Sequence, residues 1–283
     1  MELVRMIKSD ARRAMRFCGG RAVASVLVAA MACLIITVTE SVLLLVFCGT
    51  KALYFDVYTL AKISPEALYI LLGSSVFWFL LVPALLLGLT KLYLSFAEGK
   101  DESIITLFDM FSSFKKFIGS VFFAVSFAVR YIFVFAAAIF PGGAFLWFSK
   151  TYIPEETRTA QLLKISACCI AITIMILCVF LAIIFVQRWS LAIYYRAEGF
   201  GIQKSFSVSA KAAKCLCTRI LSFKCSFIGW GILSVFILPA IWAVPYYGLS
   251  NAIFAKYLME RYEHSLAKVP ETVSANVTFE ETY

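Results

Sequence analysis

Ile165-Ser-Ala-Cys-Cys-Ile-Ala-Ile-Thr-Ile-Met-Ile-Leu-Cys-Val-Phe-Leu-Ala-Ile-Ile-Phe-Val186 runs for 22 residues without a charged side chain. The hydrocarbon core of a bilayer takes about 20 apolar residues of helix, at roughly 1.5 Å rise each. This stretch is therefore long enough to cross one. Val23–Phe47, Leu68–Leu89 and Val121–Phe148 meet the same test, and Ser226–Leu258 is long enough for one bent helix or a tight pair. The expected fold is all-α, a polytopic membrane helix bundle.

Composition leaves little room for another class. Hydrophobic residues make up 62% of the 283 and charged residues 15%, against about 25% in soluble chains. In water such a chain would expose far more apolar surface than solvation tolerates. The net charge of +9 would suit nucleic acid, but no such partner is expected. In membrane proteins, excess Lys and Arg sit in cytoplasmic loops and set orientation. Arg5, Lys8, Arg12, Arg13, Arg16 and Arg21 precede the first run. Lys91, Lys100, Lys115 and Lys116 follow the second, and Arg188, Arg196, Lys204, Lys211, Lys214, Arg219 and Lys224 follow the fourth. The alternate connections hold only Lys51 and Lys62, then Lys150, Arg158 and Lys164. The asymmetry places the N-terminus, 91–117 and 188–224 in the cytoplasm, and the protein in the cell (plasma or inner) membrane. Apolar residues continue to Phe47, past a signal peptide's h-region of about 7–15 residues, so the first helix is expected uncleaved.

One membrane domain over 1–262 is expected, with spans at about 22–47, 67–92, 120–148, 163–187, 216–238 and 240–260. Pro239 lacks a backbone donor and suits the first turn of a sixth helix. A five-span alternative takes Ser226–Tyr247 as one helix and sends the tail outside. Residues 263–283, with Glu271, Glu280, Glu281 and no apolar period from Ser265 onward, are expected to be a disordered cytoplasmic tail.

Three segments expected in the cytoplasm carry an apolar stripe at helical spacing. In 102–118 it is Ile104, Leu107, Phe108, Phe111, Phe114 and Ile118; in 3–18, Leu3, Ile7, Ala11, Ala14 and Cys18; in 202–220, Ile202, Phe206, Ala213, Leu216 and Ile220. Amphipathic helices of this kind lie in the interface with cations toward anionic phospholipids. Arg12, Arg13, Arg16, Lys115, Lys116, Lys211 and Lys214 are the expected head-group contacts. Leu94-Ser-Phe-Ala97-Glu98-Gly99 and Tyr194-Tyr-Arg-Ala197-Glu198-Gly199 lead into two of these segments, which suggests a repeated unit.

Gln187-Arg-Trp-Ser-Leu-Ala-Ile-Tyr194, Leu92–Phe117 and above all Phe227-Ile-Gly229-Trp230 followed by Trp242 and Pro245-Tyr246 carry a family resemblance. Over about residues 1–262 the chain resembles a bacterial integral-membrane family, the domain-of-unknown-function family numbered 975. It departs from that pattern at Phe236-Ile-Leu-Pro239, where the family has a Gly-rich link, and at Leu249-Ser-Asn-Ala252, where the family has Thr-x-Ala. The resemblance implies six spans with both ends cytoplasmic and no established biochemical activity.

Ionisable side chains within the bilayer are expensive and mark functional candidates. Glu40, roughly 27 Å into the first helix, and Arg130, roughly 20 Å into the third, are the two candidates. The depth difference is within an arginine's reach, so they form a candidate intramembrane pair. Elsewhere the chemistry is sparse. There is no P-loop, GxSxG or dinucleotide fingerprint, and the single histidine is His264. Nine cysteines include no CxxC pair, so neither a metal nor another cofactor is expected. The expected function is a non-enzymatic membrane scaffold or envelope-associated partner protein, with a membrane protein as partner. A transporter or lipid-handling protein using Glu40 and Arg130 is the alternative.

Overall fold

The computed structural model describes residues 2–49, 65–152 and 158–267, and among them there is no strand. The order is α1 (Glu2–Cys48), α2 (Pro65–Ala97), a 3₁₀ helix (Ile104–Phe111), α3 (Phe114–Tyr152), α4 (Arg158–Val186) and a 3₁₀ turn (Gln187–Trp189). Then follow α5 (Ala192–Ala197), α6 (Ile202–Ala212), α7 (Cys217–Cys225), α8 (Ile228–Leu233) and α9 (Ile237–Ala267). Four helices are long and apolar enough to cross a membrane, or five if α6 and the bent stretch after it count as one.

The chain divides into two units. Unit 1 comprises Met1–Val121, Ile193–Phe200 and Phe227–Tyr283; unit 2 comprises Phe122–Ala192 and Gly201–Ser226.

In unit 1, α1, α2 and α9 share a core of Cys18, Ala22, Leu92, Tyr93, Phe96, Leu249 and Ala252. Segment 3–18 is not a separate surface helix. It is the first third of α1, and Ile7, Ala11 and Cys18 of its stripe are buried. The period that reads as a lipid-facing stripe is a protein-facing one, because α2 and α9 cover it.

The single helix expected over 102–118 is also corrected. The Ser103 hydroxyl accepts the Ile105 N–H to start a 3₁₀ helix. The chain breaks at Ser112 and Ser113, and α3 begins at Phe114. Ser112 Oγ donates to the Asp109 carbonyl at 2.7 Å, the local side-chain competition that disfavours a helix interior. The 3₁₀ segment lies directly on α2: a methyl group added at Gly88 would sit 2.8 Å from the Leu107 carbonyl carbon. Only a residue without a Cβ permits that crossing.

In unit 2, a Cβ at Gly142 of α3 would fall 2.8 Å from Met175 Cβ of α4, a small-residue crossing typical of helices that approach closely. The helix expected over 202–220 is two helices. Cys215 takes φ +64°, a left-handed conformation, and residues 202–212 turn 92° from those after 217.

The spans expected at 216–238 and 240–260 are redrawn. The first is broken into α7 and α8 around Ser226-Phe227, and the second starts at Ile237, after a gap at 234–236. Pro239 falls in the first turn of α9, where its missing donor costs nothing. Residues 263–267, expected in a disordered tail, are helical. Residues 268–283, with the rest of that expectation, lie outside the described residues, as do Lys51 and Lys62.

Candidate functional site

Arg130 stands on α3 in unit 2, and its partners are neutral. Nη1 donates to the Ser126 carbonyl at 2.9 Å, a helical neighbour one turn back. Nη2 donates to Gln203 Oε1 at 2.9 Å, and the guanidinium lies over the Phe206 ring, 4.0 Å from its centroid. Gln203 and Phe206 are one turn apart on α6, so one face of that helix supplies both a carbonyl and a π-face. Phe206 is held by a stack with Phe123 at 5.2 Å, and Tyr131 joins Phe127 at 4.6 Å and Trp189 at 6.2 Å.

The same packing orients a second cation. Ser209, one turn beyond Phe206, donates to the Arg188 carbonyl at 2.7 Å and ties α6 to the 3₁₀ turn. Gln187 of that turn is buried, and its Oε1 accepts from Lys224 Nζ of α7 at 2.9 Å. Arg188 lies over Phe185. Glu40 lies in unit 1, half-buried on α1, with no hydrogen bond or ion pair among the described residues. Ser126 and Gln203 take two of the five N–H donors of Arg130, and neither brings a negative charge.

The repeated phrases fold alike. At the end of α2, Lys100 N–H bonds the Ser95 carbonyl at 3.0 Å; at the end of α5, Phe200 N–H bonds the Tyr195 carbonyl at 3.1 Å. Gly99 (φ +77°) and Gly199 (φ +99°) take the left-handed conformation such a helix stop requires. A cavity of about 510 Å³ beside these turns includes Glu98, Glu198, Asp109, Lys91, Lys116 and Arg196 in its walls. Asp109 accepts from Lys91 at 2.6 Å and from Lys116 at 2.8 Å. The hydrogen bonds from Lys116 and then Lys91 hold its carboxyl below the usual range. Glu198 reaches solvent at one edge, yet partial desolvation, with Glu263 and Glu98 nearby, pushes it up to about 7.

Of the expected head-group contacts, Arg12, Arg13, Arg16, Lys115, Lys211 and Lys214 are exposed, and Lys116 is engaged by Asp109. Arg13 also lines a second cavity of unit 1, about 610 Å³, together with Phe17, Arg21 and Lys256. Phe227, Trp230 and Tyr246 meet in unit 1, with ring centroids 5.8 Å apart for Phe227–Tyr246 and 5.6 Å for Trp230–Tyr246. Lys8 Nζ lies 4.4 Å from the Phe227 centroid, and the Tyr246 hydroxyl donates to the Lys8 carbonyl at 3.4 Å. Pro245 is buried beside them, whereas Trp242 is exposed and a Cβ at Gly229 would meet nothing.

Gln203 and Asp109 were not singled out by sequence, and Gln187 was noted there only for the family resemblance and Lys224 only for orientation. The available signal was composition: among the described residues, unit 2 contains no Asp or Glu, and Arg130 and Lys224 take glutamine oxygens instead. Among the described residues, no group of three His, Cys, Asp or Glu side chains could hold a metal ion. No family model matches the chain, and no curated protein or solved structure matches it.

Proposed function

We propose that the chain is a multi-pass protein of the cell (plasma or inner) membrane, without enzymatic activity. It acts as a scaffold or envelope-associated partner for another membrane protein. The observation that carries this reading is the alternation of long apolar helices with basic connections. Six spans accommodate it: α1, α2, α3 and α4, a broken fifth through α7 and α8, and α9. At 31 residues α9 is about 46 Å long, enough for a bilayer. The N- and C-termini are then cytoplasmic, and exposed Arg12, Arg13, Arg16, Lys115, Lys211 and Lys214 meet anionic phospholipids. Kinship with family 975 is part of the proposal and rests on Phe227, Gly229, Trp230, Trp242, Pro245 and Tyr246.

A reporter fused after Tyr283 tests the topology: cytoplasmic signal is expected, and an exported signal restores five spans. The role is tested with Glu40→Gln combined with Arg130→Gln in cells lacking the native protein. A scaffold keeps its activity as long as the variant accumulates in the membrane. Loss of function from a fully accumulated variant supports the transporter or lipid-handling reading instead, which the cation-lined α6–α7 elbow favours.

A further inference from the structure

Among its described residues, unit 2 carries cations and no carboxylate. Around the α6–α7 elbow it carries Arg130, Arg188, Lys211, Lys214, Arg219 and Lys224. Its only carboxylates in sequence are Glu155 and Glu156, in the connection between α3 and α4, outside the described residues. Lys211, Lys214 and Arg219 are exposed, while Arg130 and Lys224 are half-buried.

The two half-buried cations share a design. Each is gripped by the side-chain oxygen of a glutamine, Gln203 for Arg130 and Gln187 for Lys224. An amide oxygen fixes the direction of a cation's N–H group but cancels none of its charge. A carboxylate in the same place would do both. A cation partly withdrawn from water is stabilised by a counter-anion, and a diffusible anion can supply one. Both grips belong to one packed group, since Ser209 joins α6, which bears Gln203 and Phe206, to the turn that bears Gln187. The surroundings are aromatic, with Phe206, Tyr131, Trp189 and Phe185, as suits the boundary between hydrocarbon and head groups.

We propose that the α6–α7 elbow of unit 2 binds the phosphate of an anionic phospholipid head group. Arg130 and Lys224 are its inner cations; Gln203 and Gln187 are positioning residues that aim the cations while leaving them charged. The ligand is a lipid rather than free phosphate because the site joins apolar helices and aromatic side chains. This rests on the reading of the chain as a bilayer protein.

The test uses the full chain purified into nanodiscs of phosphatidylcholine, with phosphatidylglycerol titrated in and the melting temperature followed. Wild type should gain stability with phosphatidylglycerol. Arg130→Gln and Lys224→Gln should each need about tenfold more of it, the size of one charge-assisted hydrogen bond. Arg130→Lys should keep most of the response.

The discriminating variant is Gln203→Glu with Gln187→Glu. It keeps shape and acceptor but supplies the missing carboxylates. It should melt in pure phosphatidylcholine no lower than wild type, and lose the phosphatidylglycerol response. A full response in that variant overturns the proposal. So does loss of the response from Lys211→Gln, Lys214→Gln and Arg219→Gln combined, with Arg130 and Lys224 intact. Inorganic phosphate reproducing the full shift in phosphatidylcholine overturns the lipid assignment. A wild type that fractionates with membranes yet ignores phosphatidylglycerol removes this site and leaves the multi-pass reading standing.

Discussion

Replacing Gly88 with alanine should separate α2 from the 3₁₀ helix Ile104–Phe111. The added methyl would sit 2.8 Å from the Leu107 carbonyl carbon and 3.2 Å from its Cα, where ordinary contact begins at 3.4 Å. The obstacle is backbone, with the Leu107 carbonyl oxygen nearest of all, so no rotamer change relieves it, and the crossing must open by at least about one ångström. Overpacking of this kind costs about 1–3 kcal/mol. Alanine's better helix propensity returns about 0.5–1 kcal/mol, so a net loss of about 1–2 kcal/mol is expected. Gly73, on the same helix, is the internal control, since a Cβ there meets nothing within 4 Å. Gly73→Ala should leave stability unchanged or raise it by up to about 1 kcal/mol. Leu107 is wholly buried, and its displacement should also loosen the Lys91–Asp109–Lys116 bridge. Denaturant titration of the detergent-solubilised protein reads the two substitutions side by side. If Gly88→Ala and Gly73→Ala are equally stable, the close approach at Leu107 is not a feature of the folded protein.

Cys215→Gly should stabilise unit 2 by about 1 kcal/mol, because the left-handed conformation at φ +64° penalises a side chain; Cys215→Val should do the reverse. Equal melting temperatures for the two would count against a left-handed elbow. Glu198, raised to about 7 from 4.5, binds its proton more tightly folded than unfolded. Its stabilising contribution is therefore complete below pH 4.5 and lost as pH rises through 7. Glu198→Gln should flatten the fall in melting temperature between about pH 5 and 8, and an unchanged slope would refute the assignment. Asp109 runs the other way: its carboxyl is held low, so its contribution is present above 3.8 and lost on acidification. Asp109→Asn should cost roughly 0.5–1 kcal/mol at pH 7, as befits partly exposed ion pairs, and the cost should shrink as the pH falls below 3.8. A loss that persists at low pH would show the cost is packing rather than charge.

The long helices were legible in the sequence because hydropathy and length are local sums. Ile165–Val186 lies within α4 and Val23–Phe47 within α1 whatever the rest of the chain does. The two Ala-Glu-Gly stops were legible for a similar reason, since a left-handed glycine ends a helix from within its own last turn. Helical period, by contrast, says that a face is buried without saying by what. The stripe Ile7, Ala11, Cys18 has the spacing of an interfacial helix, and only the arrival of α2 and α9 makes it core. The breaks at Ser112-Ser113 and at Cys215 depend on where Leu107 meets Gly88 and on the 92° turn after α6. Arg130 shows the limit most directly. Its charge and depth were plain in sequence and suggested a carboxylate. Its side-chain partner is Gln203, 73 residues away, an uncharged residue that becomes significant once α6 folds against α3. Charge and hydropathy belong to single residues and can be read along a chain; hydrogen-bond partnership belongs to pairs brought together in space, which only the tertiary structure decides.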